Sequence, residues 1–299
     1  MSTSLVTKIL RAVADLPQSF RRTPNPRIVM TLLVKNEEDM IERHLQYHKQ
    51  MGVDAFIVTD NNSTDHTPEI LARYVKKGWI VEVIEEKSSG YEQKKWVDRM
   101  AWLAKTKYHA DWIINADADE FWYAPSGNLK NELGQTDRNV LRCCLYNMLP
   151  DDARPYWQWD KRVLPIPQPN DYNLSPYSIY GRYTYKVAHR AAGYLQISMG
   201  NHKVAMFPKK QANATIYIYH FTIRGREQFL QKMTNGGREL ETHKGRHGGR
   251  HWRYFYELYK QGKLEEEYDR VVGNNVYDRL VTEGYICQDT TLADIFSKM

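Results

Sequence analysis

The stretch "WIINADADEFW", residues 112–122, joins an apolar run, Trp112 to Ile114, to the acids Asp117, Asp119 and Glu120, and closes on Phe121 and Trp122. A short apolar run of this kind reads as a buried strand. Carboxylates crowded at its end repel one another and lose hydration. Two remedies exist: burial against Arg or Lys, or a hard cation. An Asp-X-Asp at a strand end supplies oxygens suited to Mg2+ or Mn2+ and leaves coordination positions for substrate phosphates.

Upstream, the pattern is regular. "IVMTLLV" (28–34) is continuously apolar, as in a strand buried on both faces. "KNEEDMIERHLQYHKQMG" predicts a helix with Asn36 as its N-cap and Gly52 past its end. Strand "AFIVTD" (55–60) and the loop "NNSTDH" follow, then helix "PEILARYVKK", with Pro68 at its first position and Gly78 after it. Strand "WIVEVIE" (79–85) and a helix over roughly 91–106 lead to "WIINAD". Four such alternations predict a parallel, doubly wound α/β sheet. Ligands of these sheets bind beyond the carboxyl ends of the strands. The polar ends Lys35-Asn36-Glu37, Asp60-Asn61-Asn62 and Asp117-Ala118-Asp119-Glu120 are therefore expected on one rim. The charge at 117–120 then reads as a device for holding a metal that holds a nucleotide.

Downstream, 125–215 reads as strands with long loops, and "TIYIYHF" (215–221) as a further strand. "REQFLQKM" (226–233) and "WRYFYELYKQG" (252–262) read as helices. The Gly-rich basic stretch 235–251 between them suits a mobile lid. At the other end, Val6, Ile9, Leu10, Val13 and Leu16 recur at helical spacing. That helix either docks on the main domain or lies on a membrane surface. "RTPNP" (22–26) is a linker, so the expected segments are 1–26, 27–225 and 226–299.

The 299 residues are 42% hydrophobic, and no apolar run approaches the ~20 residues of a membrane span. No secretory signal is recognisable, since Lys8, Arg11 and Asp15 break residues 1–22. Three cysteines, two of them adjacent, form neither a disulfide framework nor a metal pattern. A cytoplasmic protein, peripheral at most at the inner face of a membrane, is expected. The net charge of +6 suits an anionic partner but is too dispersed to choose among polyanion, membrane surface and phosphate-bearing ligand.

With these motifs in place, "VKNE" (34–37), "DNNSTD" (60–65), "DADEF" (117–121), "GNHKV" (200–204) and "YHFTIRGREQF" (219–229), the chain resembles GT-A fold glycosyltransferases of the family-2-like group, in the subgroup with an Asp-X-Asp-Glu-Phe motif. The likeness spans roughly 27–262. It implies a Rossmann-like, doubly wound mixed sheet with a C-terminal helical extension. The Gln-X-X-Arg-Trp motif of processive synthases is missing, as is the Glu-Asp pair that often supplies the base of inverting members.

The resemblance implies that Val34, Asn36 and Glu37 line the nucleotide pocket. Asp60 and Asn62 would meet the base or ribose of a UDP-type donor, and Lys94 and Arg224 the diphosphate. Asp117 would face the ribose or donor sugar. Asp117 and Asp119 would hold Mn2+ or Mg2+, with His220 as a further ligand and His202 as its runner-up. Glu120 would support the metal site or touch the acceptor. Asp152 and Asp160 are the leading candidates for the catalytic base, with Asp151 and Asp171 behind them. Tyr156, Trp157 and Trp159 could stack on sugar faces. The expected reaction is metal-dependent transfer of one sugar from a nucleotide-sugar to a hydroxyl of a glycan or lipid-linked glycan, as in bacterial surface polysaccharide synthesis.

Two other functional classes fit the sequence less well. A sugar-nucleotide nucleotidyltransferase would carry a Gly-rich basic loop after the first strand, where this chain has the acidic "KNEEDM". A nucleic-acid-binding basic protein would show a zinc finger, an aromatic RNA-binding motif or a basic stripe, and none is found.

Overall fold

In the computed structural model, which describes residues 5–87, 92–242 and 249–299, the chain begins with α1 (Leu5–Ala14). The predicted alternation follows: β1 (Ile28–Val34), α2 (Ile41–Gln50), β2 (Ala55–Asp60), α3 (Thr67–Lys76), β3 (Ile80–Glu85), α4 (Gln93–Thr106) and β4 (Trp112–Ala116). Next come β5 (Glu120–Tyr123), α5 (Leu129–Gln135), β6 (Val140–Asn147), β7 (Lys161–Val163), β8 (Thr184–Arg190), β9 (Tyr194–Ile197), β10 (Val204–Met206) and β11 (Gln211–His220). The chain ends with α6 (Arg226–Thr242), α7 (Arg250–Lys260), α8 (Leu264–Val272), α9 (Tyr277–Thr282), β12 (Ile286–Gln288) and α10 (Thr291–Phe296).

The main sheet has eight strands in the order β3-β2-β1-β4-β8-β6-β11-β5. β1, β2, β3 and β4 are parallel, whereas β8 runs antiparallel to both β4 and β6. This is the expected doubly wound mixed sheet, a parallel half extended by antiparallel strands. The helices that follow make up the C-terminal extension. β1, β2 and β4 are buried almost throughout, which is why their sequences are continuous apolar runs rather than alternations.

The chain forms two units: residues 1–145 with 184–219, and residues 146–183 with 220–299. The first holds the parallel half of the sheet. The second has its own core, in which Phe229, Phe255, Tyr268 and Leu280 are buried among side chains of 149–180 and of the C-terminal helices. The division does not fall at 226 as expected, because 146–183 joins the C-terminal helices.

Several local expectations are corrected. α2 begins at Ile41, and Asn36 is not its N-cap but a left-handed residue (φ 55°) in the loop before it. The stretch 235–242 continues α6, and 243–248 lie outside the described residues, so the lid expected over 235–251 is a helix in its first half. Its glycines serve close packing rather than mobility. A Cβ on Gly236 would lie 2.9 Å from Trp252, and one on Gly237 would collide with Tyr256, both on α7.

A buried polar chain crosses the first unit. Thr31 on β1 donates to Asn115 Oδ1 on β4 (2.7 Å), and Asn115 Nδ2 lies 3.3 Å from His189 Nε2 on β8. His189 Nδ1 meets the Arg190 carbonyl (2.9 Å), so Nε2 is the unprotonated nitrogen that accepts. His44 and His48, four apart on α2, are also fully buried. His48 Nε2 accepts the Trp122 N–H (3.0 Å) and its Nδ1 donates to the His44 carbonyl (2.9 Å). Burial lowers the pKa of His44 and of His189 from 6.5 to about 4, and that of His48 well below 6.5. These groups stay neutral in the fold while the unfolded chain protonates them. Their contribution is therefore complete above pH 6.5 and is lost as the pH falls toward 4. His44→Gln should remove about one proton from this dependence, flattening the curve by about 1.4 kcal/mol per pH unit in that window. Urea unfolding at a series of pH values measures it, and equal slopes for variant and parent would contradict it.

Candidate active site

The carboxyl ends of β1, β2 and β4 meet because the register puts them there. Val34 is opposite Asp60 in the β1–β2 pair, and Leu32 is opposite Ala116 in the β1–β4 pair. Beyond them, two loops are laced together. Asp60 Oδ1 accepts the Ser63 N–H (3.1 Å) and the Ser63 hydroxyl (2.5 Å), and Ser63 Oγ accepts the Asn36 N–H (3.0 Å). Asn36 Oδ1 accepts the Thr64 N–H (2.8 Å), while the Glu37 N–H donates to Thr67 Oγ1 (2.9 Å). Left-handed backbone at Asn36 and Asn62 (φ 55° and 57°) lets both loops turn this sharply, a conformation asparagine tolerates better than most residues. Val34, Asn36, Glu37, Asp60 and Asn62 thus lie together at the carboxyl ends of β1 and β2. Lys94 is exposed in the first turn of α4, whose start follows the carboxyl end of β3 and so lies on the same edge of the sheet.

The acidic stretch resolves into a strand, a turn and a second strand. β4 stops at Ala116, the Glu120 N–H closes a turn onto the Asp117 carbonyl (3.1 Å), and β5 starts at Glu120. Asp117 and Asp119 are half-buried; Glu120 is completely buried. Sequence reasoning missed the residue that pairs with Asp117 and Glu120. Lys186 on β8 places its ammonium 2.5 Å from Asp117 Oδ2 and 2.6 Å from Glu120 Oε1. Burial would lower its pKa, but Asp117 and Glu120 override burial and hold it above the ordinary lysine value. The chain therefore uses the first remedy, a buried lysine, for Glu120. Asp117 keeps 37% of its side chain exposed, with Oδ1 outside the lysine contact.

His44 was missed as well. Its Nδ1 donates to the carbonyl of Ala118, between the two aspartates, at 3.0 Å. The turn that carries Asp117 and Asp119 is thereby fastened to α2. A signal existed in the sequence: His44 and His48 share a helix face with Ile41 and Leu45, where a core would be expected.

Asp117 and Asp119, flanking one residue at a strand end, offer hard oxygen ligands of the number that Mg2+ or Mn2+ takes from protein when phosphates supply the rest. The donor set fits such an ion. It is not a closed cage, for among the described residues no group of three or more His, Cys, Asp or Glu side chains is placed to hold a metal.

The remaining expected residues belong to the second unit. His220 Nδ1 is 3.0 Å from Asn147 Oδ1, and the Arg224 N–H donates to Gln228 Oε1 (3.3 Å). A cavity of about 260 Å3 is lined by Asp151, Asp152, Arg154, Asp160, Lys161, Tyr268 and Tyr277, among others. Asp160 is bound by Arg154 (2.8 Å), which holds its carboxyl below the usual range and so makes it a weaker base. Asp152 is exposed and accepts the Arg226 N–H (3.0 Å) and the Tyr268 hydroxyl (3.3 Å). Of the aromatics expected to stack on sugars, Tyr156 and Trp159 are instead core, packed on Phe221 at ring separations of 5.2 and 5.7 Å. Only Trp157 presents a substantial surface, 36% exposed.

Removing the lysine should expose the cost of the buried acid. Lys186→Met leaves Glu120 uncompensated and is expected to lower stability by about 3–5 kcal/mol, read by urea unfolding. Adding Glu120→Gln should recover much of that loss. A lone Lys186→Met as stable as the parent would contradict the ion pair.

None of the curated protein sequences matches the chain. Among solved structures, residues 1–349 of S. aureus TarS are similar at 15% identity and a TM-score of 0.38, with 82% of this chain and 71% of that one covered. The mannosyltransferase PcManGT from Pyrobaculum calidifontis, solved with GDP-Man and Mn2+, is similar at 13% identity and a TM-score of 0.37, with 93% and 86% covered. These likenesses are too loose to bear on function. The profile of glycosyltransferase family 92, in contrast, matches residues 30–263, which take in the rim, the Asp-X-Asp turn and Lys186. The chain belongs to glycosyltransferase family 92.

Proposed function

We propose that this glycosyltransferase moves a single sugar from a nucleotide-sugar of the UDP type to a hydroxyl of a glycan or lipid-linked glycan. The observation that carries the reading is the convergence of three strand ends, with Asp60 on one and Asp117 and Asp119 on another, at the edge where α/β sheets bind ligands. The acidic "KNEEDM" after β1 favours a transferase over a nucleotidyltransferase. Surface polysaccharide synthesis is the pathway class this substrate pair fits. A cytoplasmic location with peripheral membrane contact accords with the fact that no helix among the described residues is long and apolar enough to cross a membrane.

In this reading the loops after β1 and β2 bind the nucleoside. Asp60, fixed by Ser63, accepts from base or ribose, and Asn36, Glu37 and Asn62 shape the pocket beside Val34. Lys94, with the positive end of the 14-residue α4, draws in the diphosphate. Asp117 and Asp119 would hold Mn2+ or Mg2+, which supplies neutralising charge for the departing diphosphate. Lys186 and His44 keep the Asp117–Asp119 turn in one geometry, so that binding does not have to order it. A carboxylate takes the proton of the attacking hydroxyl if the configuration inverts. Of the carboxylates expected for this role, Asp160 is disfavoured, because Arg154 holds it below the usual carboxylate range.

Two measurements test the proposal. In a thermal-shift screen of nucleotide-sugars with and without Mn2+, the true donor should raise the melting temperature, and Mn2+ should add to the rise. No shift with any nucleotide-sugar would contradict the reading. Asp119→Ala should melt close to the parent yet lose about 10²-fold or more in turnover of donor to nucleoside diphosphate. Near-normal turnover would remove Asp119 from the site.

A further inference from the structure

The amphipathic helix α1 is mounted the wrong way round for a core helix. Its polar side holds it to the first unit: Lys8, itself buried, pairs with Asp98 at 2.7 Å, and Ala12 is fully buried. Just past the helix, Asp15 pairs with Lys105 at 2.5 Å. The apolar stripe, which in a surface helix ordinarily faces the core, is outside. Val6 is 67% exposed, Ile9 43%, Leu10 66%, Val13 45% and Leu16 42%.

Two residues beyond Leu16, Gln18 begins the wall of a cavity of about 310 Å3, lined also by Arg21, Arg22, Asp111 and Arg190. Arg190 is 3% exposed and donates only to carbonyls, those of Arg138 (3.2 Å) and Thr136 (2.9 Å). Among the described residues none of the three arginines has an ion-pair partner. The nearby acid Asp111 accepts the Arg27 N–H (2.7 Å). Asp111 and Asp137 act on Arg190 electrostatically, but three arginines against one acid in the cavity wall leave a positive excess, which suits an anion, and Arg suits phosphate in particular.

An apolar stripe continuous in sequence with an arginine-lined cavity matches one partner on both counts. We propose that α1 and the mouth of this cavity form a docking surface for an anionic phospholipid bilayer, with Val6, Ile9, Leu10 and Val13 entering the acyl boundary and the exposed Arg21 and Arg22 taking headgroup phosphate, while the buried Arg190 adds positive charge behind them. This deepens the peripheral contact proposed above and is independent of the transfer reading, since its test needs no turnover.

The full chain is sedimented with vesicles of phosphatidylcholine alone and of phosphatidylcholine mixed with phosphatidylglycerol. The chain should partition onto the anionic vesicles and not the neutral ones, and salt should weaken the binding. Arg21→Glu with Arg22→Glu, and separately Val6→Ser with Leu10→Ser, should each reduce the partition by about tenfold or more. Circular dichroism melting confirms that each variant folds, and Leu10→Lys serves if the double serine variant does not. Failure to bind either vesicle, or binding that both sets of changes leave intact, overturns the proposal. Stabilisation by inorganic phosphate without vesicle binding overturns it too, leaving a site for a soluble anion.

Discussion

The ammonium of Lys186, held between Asp117 and Glu120, is the interaction on which the candidate site depends. A strand that ends in three acids, one of them wholly buried, is not a stable arrangement by itself. One lysine from the neighbouring antiparallel strand makes it stable and divides the acids by role. Glu120 is consumed by the pair and by the Asp117 N–H it accepts (3.2 Å), so it becomes part of the support. Asp117 and Asp119 remain half-buried at the rim. One of the two remedies open to such a cluster, a buried lysine, is built into the strand end; the other, a hard cation, is what the proposed function assigns to Asp117 and Asp119.

The parallel half of the fold was legible because its signals are local. β1, β2 and β4 are buried on both faces and so are written as unbroken apolar runs, and Pro68 and Gly78 bound α3 as expected. Strand ends follow from strands, so Asp60, Asn62 and Asp117 could be placed on one edge. The loop geometry could not. Asn36 looked like a helix cap because Asn favours both caps and left-handed turns, and only the hydrogen bonds to Ser63 and Thr64 decide between them.

What was illegible depends on distant pairing. Lys186 is 69 residues from Asp117 and stands in "YTYKVAHR", an ordinary strand with one lysine in it. Only the position of β8 beside β4 shows that the lysine points at the acids. The glycines at 236 and 237 misled for a related reason: their signal is shared by loops and by close helix contacts, and the partners Trp252 and Tyr256 lie well downstream. Tyr156 and Trp159 read as sugar platforms by type, but Phe221 claims them for a core. The N-terminal helix inverted the expectation that an apolar stripe is what docks a helix, because Lys8 and Asp15 do the docking instead.

The central claim is that the rim formed by the ends of β1, β2 and β4 receives a nucleotide and, through Asp117 and Asp119, a divalent ion. Crystals grown with UDP and Mn2+, measured for anomalous scattering, test it most directly. The account predicts an anomalous peak at the Asp117–Asp119 turn, with the uridine against the loops after β1 and β2. A nucleotide bound elsewhere, or a fully formed rim with neither ion nor nucleotide in it, would contradict the account.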